Sequence, residues 1–160
     1  MPDPLLDLQF QRDVSLSRAQ IWEGLTNPTT LMKWFCPRPW SVVECEIDLQ
    51  PGGIFRTVMQ SPDGERMSDN AWCFLAIEPQ QRLVWTNKFA PGFKPKSQPK
   101  AENLGFFFVV DLRLLPLKDG GTSYKANVMH ENEASRKAHD EMGFQHGWGA
   151  SLNQLVELYK

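Results

Sequence analysis

The sequence predicts an α+β domain: a curved antiparallel sheet of about seven strands wrapped around one long C-terminal helix, with two short helices after the first strand. Three observations predict it. Seven segments read as strands, and the last six follow one another, most of them through short turns, which makes an antiparallel meander. Turn residues punctuate that run at Pro51-Gly52-Gly53, Asp63-Gly64 and Asp119-Gly120-Gly121. One face of such a sheet must be covered, and the final helix is the large element available to cover it.

The elements follow in order. Leu8 to Val14 alternates apolar and polar residues, the pattern of a half-buried strand. Ser17 is placed to cap a short helix over Ala19–Leu25, and Asn27-Pro28 restarts the chain into a second one, Thr29–Phe35, stopped by Pro37 and Pro39. Strands are expected over Trp40–Leu49, Ile54–Gln60, Ser68–Ile77 and Arg82–Asn87. Lys88 to Asn103 holds Pro91, Pro95 and Pro99 and several lysines; it reads as a mobile flap that closes over a binding site. Gly105–Leu115 and Thr122–His130 complete the sheet.

Glu133 to Tyr159 reads as helical, with a break near Met142-Gly143. Beyond the break, Phe144, Gly147, Trp148, Ser151, Leu152, Leu155, Leu158 and Tyr159 fall on one stripe. Gln145, His146, Gly149, Ala150, Asn153, Val156, Glu157 and Lys160 fall opposite it. Gly147 and Ser151 are small, so the sheet either approaches closely there or leaves a void.

The 160 residues are read as one domain, 1–160, and 41% apolar composition is ample for a core. Seventeen Lys and Arg against nineteen Asp and Glu leave a charge of -2, which argues against nucleic acid and against an acidic membrane surface as partners. No apolar run has the roughly eighteen residues of a membrane span, and Met1-Pro2-Asp3-Pro4 does not open like a signal peptide. Cys36, Cys45 and Cys73 are odd in number and widely spaced, so neither a disulfide framework nor a zinc cluster is expected. The expected location is the cytoplasm. Six Trp and ten Phe must either fill the core or line a pocket.

Several segments together carry a resemblance. They are Trp22 to Trp34, Pro39-Trp40, Asp48 with Pro51-Gly52-Gly53-Ile54-Phe55-Arg56, Pro62-Asp63-Gly64, Ile77-Glu78-Pro79 with Arg82-Leu83-Val84 and Thr86, and Gly143-Phe144 with Gly147-Trp148 and Leu152-Asn153-Gln154-Leu155. In this order and spacing the chain resembles the SRPBCC superfamily of START-like, helix-grip proteins, in the branch named after the activator of the heat-shock-protein-90 ATPase. The resemblance runs from about Leu8 to Tyr159. It implies a seven-stranded sheet gripping the last helix, with an apolar cavity between them. It also implies a wide functional range: lipid and hormone carriers, polyketide cyclases, ring-hydroxylase domains and co-chaperones. Trp72 stands where many relatives carry glycine; pointing inward, it would shrink the cavity and disfavour a large lipid.

His130 shares the core face of its strand with Tyr124, Ala126 and Val128 and sits at the strand end, where it could act as a general acid or base. His139 and His146 are expected to be exposed to solvent. Glu44, Glu46 and Asp48 read as a solvated row that Arg56 could pair with, and Cys36 as an ordinary thiol. No nucleophile elbow, zinc-protease, phosphate-loop or dinucleotide motif is present. The aromatic residues carry the strongest signal. Phe106, Phe108, Val110, Leu112 and Leu114 share one strand face; Leu83 and Trp85 share another; Phe55, Thr57 and Met59 form a third.

The expected site is a ligand cavity lined by Trp34, Phe35, Phe55, Thr57, Trp72, Trp85, Phe108, Phe144, Trp148, Ser151 and Leu155, with His130 as the catalytic candidate and no metal or cofactor. The expected function is binding of a small apolar or aromatic molecule. The alternatives are a cyclase-like or hydrolase-like enzyme using His130 and a co-chaperone-like interaction module. A homodimer is left open.

Overall fold

The computed structural model describes residues 2–99 and 105–160, and the backbone alone of 67–70. Strand β1 (Asp7–Val14) leads into helices α1 (Arg18–Thr26) and α2 (Pro28–Leu31). Strands β2 (Ser41–Ile47), β3 (Ile54–Gln60), β4 (Arg66–Glu78) and β5 (Arg82–Thr86) follow, then the two-residue strands β6 (Phe89–Ala90) and β7 (Lys94–Pro95). Strands β8 (Phe108–Pro116) and β9 (Thr122–His130) precede helices α3 (Glu133–Glu141) and α4 (Phe144–Leu158). The seven long strands form one antiparallel sheet in the order β1-β9-β8-β5-β4-β3-β2. The sheet is open, with β1 and β2 at its edges. The expected α+β helix-grip architecture is therefore present.

Local chemistry explains the helix ends. Ser17 Oγ accepts from the Gln20 amide and the Gln20 side chain accepts from the Ser17 amide, a reciprocal capping box that starts α1. Asn27 Oδ1 accepts from the amides of Thr29 and Thr30 and caps α2, whose first residue is Pro28. The second helix is shorter than expected. It ends at Leu31, and the chain continues to Phe35 in hydrogen-bonded turns, which frees Trp34 and Phe35 to turn toward the sheet. Gly143, at φ 89°, sets the expected break between α3 and α4.

Curvature has a visible cause. The register shifts between Val42 and Glu44, between Thr57 and Met59, and between Phe74 and Ala76. Bulges bend a strand and increase its twist, and these three lie in the β2–β5 half of the sheet. The concave face carries the core: Phe10, Phe55, Phe74, Leu83, Val110, Leu112 and Val128 from the strands, with Leu152 and Leu155 from α4. Glu44 pairs with Arg66 at 2.7 Å and Arg56 at 3.6 Å at the surface, as the solvated-row reading anticipates.

Two expectations are corrected. Leu158 is exposed and Gly149 is buried, the reverse of the helical stripe. For Gly149 the reason is Arg12: its guanidinium lies over Gly149, where an added Cβ would sit 3.0 Å from Nη2, so α4 lies against β1 on that side. The segment read as a flap is a small β6–β7 ribbon. The Gly92 amide donates to the Gly52 carbonyl at 2.8 Å and the Phe93 ring covers Gly52, so the ribbon folds onto the β2–β3 turn. No residue of 88–99 touches the cavity described below; the rest of the expected flap, from Lys100, lies outside the described residues.

Candidate functional site

A cavity of about 280 Å³ opens between the sheet and α4. Trp72 of β4, Trp85 of β5, Phe108 and Val110 of β8 and Tyr124 of β9 form its sheet side, with Met59 of β3 at the margin. Trp148, Ser151 and Gly147 of α4 face them. Trp34, Phe35, Cys36 and Pro37 close one end, and His139 of α3 belongs to the wall as well. No Asp, Glu, Lys or Arg is part of the lining among the described residues.

The wall at Trp34–Pro37 is held by one side chain. Gln154 is buried on α4; its Nε2 donates to the carbonyls of Trp34 (3.1 Å) and Cys36 (2.9 Å), and its Oε1 accepts from the Arg38 amide (2.9 Å). Trp34 Nε1 donates to the Gly24 carbonyl at 2.9 Å, which fixes that ring against α1. Small residues on α4 keep the space open. A Cβ at Gly147 would meet only Pro37 Cγ, at 4.0 Å.

Seven of the expected lining residues stand together: Trp34, Phe35, Trp72, Trp85, Phe108, Trp148 and Ser151. Four do not reach the cavity. Phe55 stacks on Phe74 at 5.1 Å and lies behind Trp72 and Trp85. Thr57 is fully buried beside the β3 bulge, and Met59 takes the lining position instead. Phe144 packs between His139 and Trp148. Leu155 points at Gly24. Trp72 does turn inward, edge-on to Phe55 and Phe108. Its Nε1 and the Thr57 hydroxyl are buried with no hydrogen-bond partner among the described residues.

The histidines need correction. His146 is exposed as expected, but His139 is buried. Its ring sits 5.0 Å from Phe106, 5.7 Å from Phe108 and 5.2 Å from Phe144. Its Nδ1 is 2.9 Å from Nε2 of His130. His130 itself does not line the cavity; it stands behind His139, with Nδ1 2.8 Å from the Leu6 carbonyl. The docking of α3 explains the miss, because periodicity within so short a helix does not say which face meets the sheet. The face of α3 is then set by its docking, where Arg136 Nε donates to the Leu5 carbonyl at 3.1 Å.

Burial sets the charge state of the site. Desolvation, and then the neighbouring His130, push His139 down to about 4. His130 is also lowered, by desolvation first, with Asp7 and Arg136 acting on it in opposite directions. Desolvation raises the Cys36 thiol to about 11 and raises the Tyr124 phenol too. At neutral pH the described residues of the lining therefore carry no formal charge. No group of three potential ligands that could hold a metal ion is found among the described residues.

A family model described as "Activator of Hsp90 ATPase homolog 1-like protein" matches residues 15–160. The chain belongs to this family. The crystal structure of a Nitrosomonas europaea protein matches this member of the family with a TM-score of 0.88 at 40% identity, over 98% of this chain and 95% of that one. A Rhodobacter sphaeroides protein gives 0.80 at 24% identity, over 99% and 95%. An AHSA1 protein from Silicibacter pomeroyi gives 0.64 at 16% identity, over 96% of each chain. The last two show the shared fold alone. No curated protein matched the chain. The helix-grip resemblance read from the sequence is thus borne out, and the AHSA1/SRPBCC fold is one known for ligand binding. No helix among the described residues is long and apolar enough to cross a membrane.

Proposed function

We propose that this AHSA1-family chain binds one small apolar or aromatic molecule between α4 and the sheet. The observation that carries the reading is a cavity of about 280 Å³ walled by four tryptophans and two phenylalanines, with no charged side chain in its lining among the described residues. An apolar cavity of about 150 Å³ accommodates one benzene ring, so this one suits roughly two fused rings. Its size argues against a long-chain lipid. Binding would draw on burial, at about 25 cal/mol per Å² of apolar surface.

The test is fluorescence titration with naphthalene and with an environment-sensitive apolar dye, alongside native mass spectrometry of freshly purified protein. Saturable binding by the wild type, lost in Ser151→Phe while the fold persists, supports the reading. Absence of binding in both proteins, with strong destabilisation by Ser151→Phe, would mean that the helix and sheet close on each other there.

A second reading, general-base catalysis, is favoured by the His130–His139 pair. A neutral imidazole in the cavity wall can take a proton from a bound molecule or from water. Turnover of a cavity-bound substrate that vanishes in His139→Phe, with the fold intact, would place this reading first.

A further inference from the structure

The hydrogen-bond polarity of the histidine pair is set by a group that cannot titrate. A backbone carbonyl only accepts, so the 2.8 Å contact with Leu6 places the proton of neutral His130 on Nδ1. Its Nε2 is then a lone pair, and the 2.9 Å contact requires His139 Nδ1 to donate. The proton of neutral His139 is thereby fixed on Nδ1, and its Nε2 is an acceptor. That atom has no hydrogen-bond partner among the described residues, and the ring that carries it belongs to the cavity wall.

We propose that the cavity selects an aromatic molecule bearing a hydrogen-bond donor, a phenol being the simplest, whose O–H is donated to Nε2 of His139. The proposal rests on the binding reading above and names the ligand class of the same cavity. His139 is the ligand contact; His130 is a positioning residue that holds its tautomer. The rings of Phe106, Phe108 and Phe144 pack around His139, so a hydrogen bond to its Nε2 forms in largely apolar surroundings, which strengthens one good hydrogen bond and penalises a ligand that leaves the acceptor unmatched. An acceptor-only molecule such as an aryl ether faces lone pair against lone pair. The low proton affinity of both rings keeps the acceptor available at neutral pH.

The experiment compares naphthalene, 2-naphthol and 2-methoxynaphthalene by fluorescence titration at neutral pH. The expected result is about tenfold tighter binding of 2-naphthol than of 2-methoxynaphthalene by the wild type, and a ratio near one in His139→Phe, with naphthalene bound by both. Naphthalene binding with a ratio near one in the wild type, or a preference that survives in His139→Phe, overturns the inference and leaves the cavity reading standing. Failure of all three probes to bind overturns both.

A measurement on the wild type covers the case in which His139→Phe does not fold. In protein carrying ¹⁵N-labelled histidine, the Nε2 resonance of His139 should have the shift of an unprotonated ring nitrogen and should move with 2-naphthol but not with naphthalene. A protonated Nε2 at neutral pH, or no response to 2-naphthol, overturns the assignment. His130→Phe should convert His139 to a mixture of tautomers, a readout that loss of packing alone does not give. An unchanged single tautomer in that variant removes the role of His130.

Discussion

Gln154 Nε2 lies 2.9 Å from the carbonyl oxygen of Cys36, a hydrogen bond spanning 118 residues that ties the last helix to the chain end of the cavity. With the bonds to Trp34 and Arg38 it satisfies three backbone groups with one amide. Gln154→Leu keeps the volume and strands all three, so it should cost roughly 2–4 kcal/mol. Gln154→Glu should be no better, because a carboxylate cannot donate to two carbonyls. Urea denaturation reads both, and naphthalene affinity should fall in parallel as the Trp34–Pro37 wall relaxes. A loss below about 0.5 kcal/mol would show that the segment is held by other contacts.

Leu155 tests the packing of the same helix on its other side. It is fully buried and meets α1 at Gly24. Leu155→Ala should cost about 2–5 kcal/mol by transfer and cavity terms together. A change under half a kcal/mol in chemical denaturation would contradict the packing.

Gly147 and Gly53 should respond in opposite directions to the same substitution. Gly147 lies inside α4 with open space beside it, so Gly147→Ala should stabilise by roughly 0.5–1 kcal/mol through helix propensity. At Gly53 a Cβ would stand 2.0 Å from the Asp48 carbonyl oxygen, so Gly53→Ala must move the β2–β3 turn and should destabilise strongly. Thermal melts of the two variants decide the point; equal shifts would refute the contrast.

Acid should weaken the fold through the histidine pair. Both rings bind protons less readily when folded than the ordinary value of 6.5, His139 falling to about 4. Below about pH 6.5 the unfolded chain takes up protons that the folded one does not. The contribution is therefore complete above that pH and is lost as pH falls toward 4. For His139 alone the loss between pH 7 and pH 5 is roughly 1–2 kcal/mol. Urea denaturation at the two pH values should show it in the wild type, and His139→Phe should flatten the slope. An equal slope in the variant would mean that the acid sensitivity resides elsewhere.

Much of this protein was legible in local pattern. The order of elements, the Ser17 cap, the Gly143 break and the inward row Phe106, Phe108, Val110, Leu112 and Leu114 follow from turn chemistry and from a strand period of two, which fixes a side chain's face from its neighbours alone. The same period groups Trp85 with Leu83 and Phe108 with Phe106 and Val110 on shared strand faces, and Trp85 and Phe108 both stand in the cavity wall. Three features had no such local signature. His139 is buried because α3 docks its ring against Phe106, Phe108 and Phe144, contacts that its own helix does not encode. Gln154 reads as a polar helix residue until the carbonyls of Trp34 and Cys36, over a hundred residues away, arrive beside it. The 88–99 segment looks like a free flap because prolines and lysines cannot form a core, yet the bond from Gly92 to Gly52 anchors it. Periodicity determines which way a residue faces within its own element; which groups meet across elements is decided only when the sheet bends and the helix settles into it.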